Sequence, residues 1–197
     1  MFLKWDDASV SNYEKLYIFA FVLTNNEIIM KKTFLVSLFA FLFAGFGNAQ
    51  KVDNSVVKTL DLKRYLGDWY EIARFDHRFE RGLEFCKANY ALREDGKITV
   101  TNTGKKDGKI KTSNGKAKTT DAPAVLRVSF FGPFYSDYRV MMLDGDYKWA
   151  LVGSKDADYL WILSRTRELP QETLDAILAE ATRRGYDTSK LIWVKQK

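Results

Sequence analysis

Eight short runs of alternating or aliphatic residues, each closed by turn residues, fill most of the chain beyond residue 60. Little except an antiparallel sheet can be built from them. They lie at 69–75, 86–92, 97–102, 115–119, 125–130, 138–143, 147–152 and 159–165. Strand side chains point alternately to opposite faces, so a period of two marks a half-buried strand. Asp95-Gly96 and Asp144-Gly145 are hairpin signals, Gly108 marks a turn in the polar stretch 104–114, and residues 156–158 separate the last two runs. Sequential strands joined in this way predict an all-β fold, an eight-stranded up-and-down antiparallel β-barrel. Closure removes the sheet edges and lets the barrel enclose one small ligand. An open sandwich is the alternative that the pattern leaves. After residue 165 the period changes. Pro170 suits a first helical turn, Leu174, Ile177, Leu178 and Ala181 share a helical face, and Gly185 after Arg183-Arg184 stops the helix. One C-terminal α-helix packed outside the barrel and a short last strand at 191–194 complete the prediction.

The start of the chain reads as processing sequence. Met30-Lys31-Lys32 precedes an apolar run that ends at Phe46, and Gly47-Asn48-Ala49 supplies small residues at a cleavage site. This pattern predicts a secretory signal peptide over 30–49. Its core of roughly 14 apolar residues falls short of the ~20 that a membrane-spanning helix needs. Residues 1–29 contain Asp6, Asp7, Glu14 and Glu27, which do not suit a signal n-region, and read as an over-extended gene start. The remaining 50–197 suits one domain with a single core. Lys and Arg number 31 against 25 Asp and Glu, a net charge of +6. That balance favours anionic partners such as phospholipid headgroups and is too diffuse to indicate nucleic acid. A single cysteine and a single histidine exclude an internal disulfide and leave no ligand set for a zinc cluster or histidine-built metal site. No metal and no cofactor is expected.

Several motifs carry a family resemblance. Tyr65-Leu66-Gly67-Asp68-Trp69-Tyr70-Glu71 is similar to the Gly-x-Trp signature that opens the lipocalin barrel, with Gly67 and Trp69 at its defining positions. Leu143-Asp144-Gly145-Asp146-Tyr147 resembles the second lipocalin motif, with Asp144 and Tyr147 in the turn between the sixth and seventh strands, and Arg165 matches the arginine of the third. Asp76 to Leu83 and Ser129 to Phe134 resemble the bacterial outer-membrane lipocalins, the apolipoprotein D-like branch of the family. The resemblance runs from about residue 57 to 197, nearly the whole domain. It implies that Trp69 and Arg165 meet at the closed end of the barrel, as structure rather than as ligand contacts.

Counting outward from those two residues assigns the interior. If Arg165 points inward, Leu163 and Trp161 share its face, and from Trp69 the same parity turns Glu71, Ala73 and Phe75 inward. Cys86, Ala88, Tyr90 and Leu92 are the chosen inner face of the second strand, and Ile98, Val100 and Asn102 that of the third. Tyr90, Trp161, Asn102, Ala73, Phe75, Ala88, Val100 and Leu163 are therefore the expected ligand-binding residues of an apolar pocket. A filled core without a cavity is the competing reading.

Arg74, Arg78 and Arg81 in and beside the first loop, with Phe131 and Phe134 after the fifth strand, are expected at the open rim. There they would suit a phosphate headgroup or a membrane surface; a solvated loop with packed aromatics is the plainer reading. His77 supports no metal or acid–base role. Cys86 reads as an inert core thiol, because no His, Asp or Glu stands beside it by spacing and Lys87 points to the opposite face. The expected function is a secreted carrier of a fatty acid, lysophospholipid or similar small lipophilic molecule, acting as monomer or homodimer in envelope lipid transport or maintenance. A thiol enzyme using Cys86 and a partner-binding envelope protein are the alternatives. Some bacterial carriers are lipid-anchored through a cysteine at the cleavage site; Gln50 stands there, so the expected location is periplasmic, near the outer membrane, without such an anchor.

Overall fold

In the computed structural model, which describes residues 51–197, nine strands form one sheet that returns on itself. The signal peptide and the extension before it lie outside the described residues. The strands are β1 (Gly67–Arg74), β2 (Glu84–Leu92), β3 (Ile98–Lys106), β4 (Lys109–Thr119), β5 (Val125–Phe131), β6 (Phe134–Leu143), β7 (Trp149–Gly153), β8 (Leu160–Ser164) and β9 (Ile192–Trp193). From β2 to β8 each strand pairs antiparallel with the next, and β1 pairs with both β2 and β8. That double pairing closes the eight-stranded barrel and excludes the sandwich. Helix α1 (Leu62–Tyr65) precedes β1, helix α2 (Gln171–Arg183) follows β8, and β9 adds to the upper part of β1 outside the barrel pairing.

Two apolar clusters divide the sheet's faces. One, inside the barrel, includes Trp69, Tyr90, Val100, Leu126, Val140, Val152 and Leu163. The other, beneath α2, includes Ile72, Met141, Leu151, Ile162, Ile177 and Ala181. The predicted helical stripe is the one that packs, with Ile177 and Ala181 fully buried. The helix ends as read. Gly185 (φ +90°) donates to the Thr182 carbonyl and Tyr186 to that of Ala181, the paired bonds of a Schellman cap.

The closed end is organised by Arg165. Its guanidinium carbon lies 3.8 Å from the Trp69 ring centroid. Its nitrogens donate to the carbonyls of Asp68 (2.7 Å), Arg64 (2.7 Å), Tyr65 (3.2 Å) and Tyr147 (3.2 Å). Trp69 Nε1 donates to Tyr65 O at 2.8 Å, so indole and guanidinium share one backbone turn. Gly67 adopts φ +92°, a conformation that favours glycine, where an added Cβ would lie 3.5 Å from Arg165 Nη1. The second motif locks the same end: Asp144 accepts from the backbone of Asp146 and Lys148, and Tyr147 Oη accepts from Asp61 N at 2.8 Å.

The strands extend well beyond the expected runs in two regions: β6 begins at Phe134, ahead of the run at 138–143, and the third and fourth strands lengthen toward each other. Residues 104–114 form the upper half of a long hairpin, Lys106 opposite Lys109 around Asp107-Gly108. The first six residues of β4 are exposed, so no buried face imposed the alternation that marks strands elsewhere.

The Arg165→Ala variant should lose the cation–π contact and leave four carbonyls without that donor, at a cost of about 1–3 kcal/mol. Thermal unfolding should register this as a melting point lower by about 3–9 °C. An unchanged melting point would show that the floor does not depend on this side chain.

Candidate functional site

The register of β1 against β8 decides what faces the barrel interior. Glu71 is opposite Leu163, but Ala73 is opposite Ile162 and Arg74 opposite Trp161, so Ile72 is an extra residue. A β-bulge of this kind puts two residues of one strand against one of its partner and reverses the parity beyond it. The consequence is a correction. Ala73 and Phe75, expected to line the pocket, belong to the cluster beneath α2. Arg74, expected at the solvated rim, turns inward and is 2% exposed.

Arg74 sits among two carboxylates and a thiol. Its Nη1 is 3.3 Å from Glu71 Oε2 and 3.9 Å from Cys86 Sγ, its Nη2 donates to the Glu80 carbonyl at 2.6 Å, and its Nε is 3.5 Å from Glu80 Oε2. Trp161 Nε1 donates to the same Glu80 oxygen at 3.3 Å. Burial, then the nearby Glu80 charge, pushes the Glu71 carboxyl up to about 8; burial also raises Glu80. Glu71 is thereby disposed to hold its proton, and both carboxyls face the Arg74 guanidinium, whose charge opposes the rise in each.

Sequence reasoning missed two partners of this node. Glu80 lies in the β1–β2 loop, where no periodicity marks an inward residue. Gln196 lies beyond β9, where the C-terminal segment enters between β1 and β2; its Nε2 donates to the carbonyls of Glu71 and Cys86, both at 2.8 Å. The pairing of β1 with β2 stops at Tyr70–Lys87, and above it Phe85 donates to Lys195 O and Val194 to Ile72 O. The C-terminus thus fills the gap in the barrel wall.

The other expected pocket residues divide by height. Tyr90, Ala88, Val100 and Leu163 belong to the interior cluster, and Trp161 packs against it from nearer the mouth. Asn102 is opposite Ala88, and its Oδ1 is buried without a hydrogen-bond partner. Tyr138 joins the wall, its Oη 2.7 Å from Tyr65 Oη and accepting from Tyr90 Oη at 3.1 Å. At the mouth, His77 from the β1–β2 loop stacks on Tyr159 (4.5 Å) and Phe79 (5.3 Å) and leans on Trp161 (5.2 Å). Its Nε2 has no partner, and burial holds its pKa below the usual histidine range.

The rim itself is apolar with flanking charge. Phe131 and Phe134 are 78% and 79% exposed on the β5–β6 hairpin, so they are not packed under the mouth. Phe79 and Ile110, also exposed, lie at the same end, because the β1–β2, β3–β4 and β5–β6 connections all lie there in an up-and-down barrel. Arg78 is exposed, and Arg81 is engaged with Asp76 at 2.6 Å.

Cys86 is 2% exposed, and burial followed by the Glu71 charge pushes its thiol up to about 12. The expectation that no acidic residue stands beside it is corrected: Glu71 faces the thiol from β1. Lys87 does point away, to Asp68 at 2.8 Å.

The raised Glu71 pKa sets a pH dependence. The unfolded carboxyl loses its proton near 4.5, while the folded one holds it to about 8, so the folded state binds more protons across that window. Stability is then full at low pH and declines as pH rises from about 4.5 to 8. Melting curves against pH should show this decline in the parent and a weaker one in Glu71→Gln, with a residue left by Glu80. The variant should melt several degrees higher at pH 8.5, each 1 kcal/mol being worth about 3 °C for a domain of this size. Parallel pH profiles would contradict the assignment.

Comparisons with known proteins agree with this geometry. A family model described as a lipocalin-like domain matches residues 60–196. The chain is 57% identical over 146 residues to the outer membrane lipoprotein Blc of Escherichia coli (strain K12), covering 72% of this chain and 82% of that one. It is 36% identical over 153 residues to apolipoprotein D of Macaca fascicularis, covering 72% and 80%. Among solved structures, apocrustacyanin C1 superposes with a TM-score of 0.63 at 18% identity over 77% of this chain and 89% of that one, a likeness of fold. One expectation falls here. Gln50 suggested a periplasmic protein without a lipid anchor, but a relative this similar is named an outer membrane lipoprotein. That reading had rested on one position outside the described residues. The motifs, the closed barrel and the matched family model lead to one conclusion: the chain belongs to the lipocalin family.

Proposed function

We propose that the protein is a carrier that holds one single-chain lipid, a fatty acid or lysophospholipid, inside the barrel and exchanges it at the envelope membrane. The observation that carries the reading is the division of the interior into two levels. Tyr90, Val100 and Leu163 give an apolar wall below, and Trp161 stands above them beside a charged node. An amphiphile has the same division, with an apolar chain and a polar end. Each methylene moved from water into such a wall contributes about 0.8 kcal/mol, so the chain supplies most of the affinity.

The exposed Phe79, Ile110, Phe131 and Phe134 around the mouth suit shallow contact with a lipid surface, and the net charge of +6 suits an anionic one. The name of the Escherichia coli relative supports placing that exchange at the outer membrane. A thiol enzyme is the weaker reading: a nucleophile needs its thiolate, and burial beside Glu71 favours the protonated form of Cys86.

Transfer of a fluorescent lysophospholipid from anionic vesicles tests both parts. Trp161→Ala should weaken equilibrium capture by about tenfold, as the loss of a large pocket side chain does. Phe131→Ser with Phe134→Ser should slow transfer several-fold and leave equilibrium capture nearly unchanged. Parent-like capture by Trp161→Ala would contradict the pocket, and parent-like transfer by the double variant would contradict the membrane-facing mouth.

A further inference from the structure

We propose that Arg74 and the Trp161 indole form an anion subsite inside the barrel mouth, occupied here by the Glu80 carboxylate and taken over by the carboxylate or phosphate of a bound single-chain lipid. The proposal rests on the carrier reading and adds where the head of the ligand goes and what it displaces.

The three side chains differ in how they are held. Arg74 and Trp161 are opposite each other on paired strands and fixed in the barrel wall. Glu80 lies in the β1–β2 loop, its backbone engaged only in the local turns Glu80 N to His77 O and Leu83 N to Glu80 O, and in the bond from Arg74. Its side chain satisfies its donors poorly. One oxygen lies 3.3 Å from the indole nitrogen and 3.5 Å from Arg74 Nε, which has no hydrogen-bond partner although Arg74 is 2% exposed. Charge-assisted bonds of this type close to about 2.7–2.9 Å when geometry allows. A two-oxygen anion free of the loop can take both donors at such distances; Glu80 offers them a single oxygen.

The placement of the two carboxyls points to one exchangeable group. Glu71 is fixed on β1, whereas Glu80 stands in the loop, where its side chain is hydrogen-bonded to Glu71 and is the one that an entering anion would turn aside. An entering lipid anion that takes the place of the Glu80 carboxyl keeps a counter-ion against Arg74, so exchange avoids the cost of an unpaired guanidinium. The buried, unpartnered Nε2 of His77 and Oδ1 of Asn102 add polar atoms at the mouth and lower on the wall.

The test compares three probes of one chain length, hexadecanoate, hexadecyl phosphate and hexadecanol, by calorimetry with the parent and Glu80→Gln. Glu80→Gln keeps the side-chain shape and removes the ionisable carboxyl. It should tighten binding of one or both anions about tenfold, the scale of a charge-assisted hydrogen bond, and leave hexadecanol within about twofold. A gain confined to one anion identifies the headgroup chemistry. Trp161→Phe keeps the ring, removes the donor, and should lower the ratio of anion to alcohol affinity in an otherwise parent-like protein. Trypsin cleavage after the exposed Arg78 should rise when an anionic probe is bound and not when hexadecanol is. If Glu80→Gln tightens all three probes equally, or none, the subsite is overturned while the carrier reading stands. If no probe binds the parent, the carrier reading fails and takes the subsite with it.

Discussion

Between Glu71 and Ala73 the first strand carries one residue more than β8 opposite, and at that point the inward face passes from odd-numbered to even-numbered residues. Below the bulge Trp69 and Glu71 face the interior; above it Arg74 does, while Ile72, Ala73 and Phe75 join the cluster beneath α2. Were the strand regular through Ile72, Ala73 would lie opposite Trp161 and Arg74 would turn toward the helix. The placement of charge inside an apolar barrel therefore follows from one backbone irregularity.

The two ends of the barrel use arginine in opposite ways. Arg165 closes the floor with its guanidinium against the Trp69 face and its donors on four carbonyls, an arrangement whose hydrogen bonds all go to backbone dipoles. Nothing there invites exchange. Arg74 is balanced by carboxylates, and burial of an ion pair has a desolvation cost that its attraction only partly offsets. The raised Glu71 and Glu80 pKa values are the signature of that tension. A floor closed by carbonyl hydrogen bonds and a charged upper level suit the carrier proposed above, in which the ligand is enclosed at one end and admitted at the other.

The strand count, the order of hairpins and the face of α2 were legible because burial on one side imposes a period on the sequence. Leu163 and Trp161 point as parity from Arg165 indicates, for β8 is regular between them. Parity from Trp69 worked only as far as Glu71. A bulge leaves no mark in composition, and Ile72-Ala73 reads as naturally in a regular strand as in an irregular one. From sequence alone Arg74 looks like a rim residue, because it ends its strand and begins a basic loop. Glu80 and Gln196 carry no periodic signal at all: a loop and a chain end bring them to the site, and only tertiary closure places them there.

In the proposed carrier the barrel is filled by one lipid whose polar end reaches the upper level. Protein recovered from its native envelope under non-denaturing conditions, weighed intact and then extracted with organic solvent, tests it most directly. The expected result is a complex of one chain with one single-chain lipid, released as a fatty acid or lysophospholipid on denaturation. A chain that carries no lipid, or one loaded with an uncharged compound lacking a long alkyl tail, would contradict it.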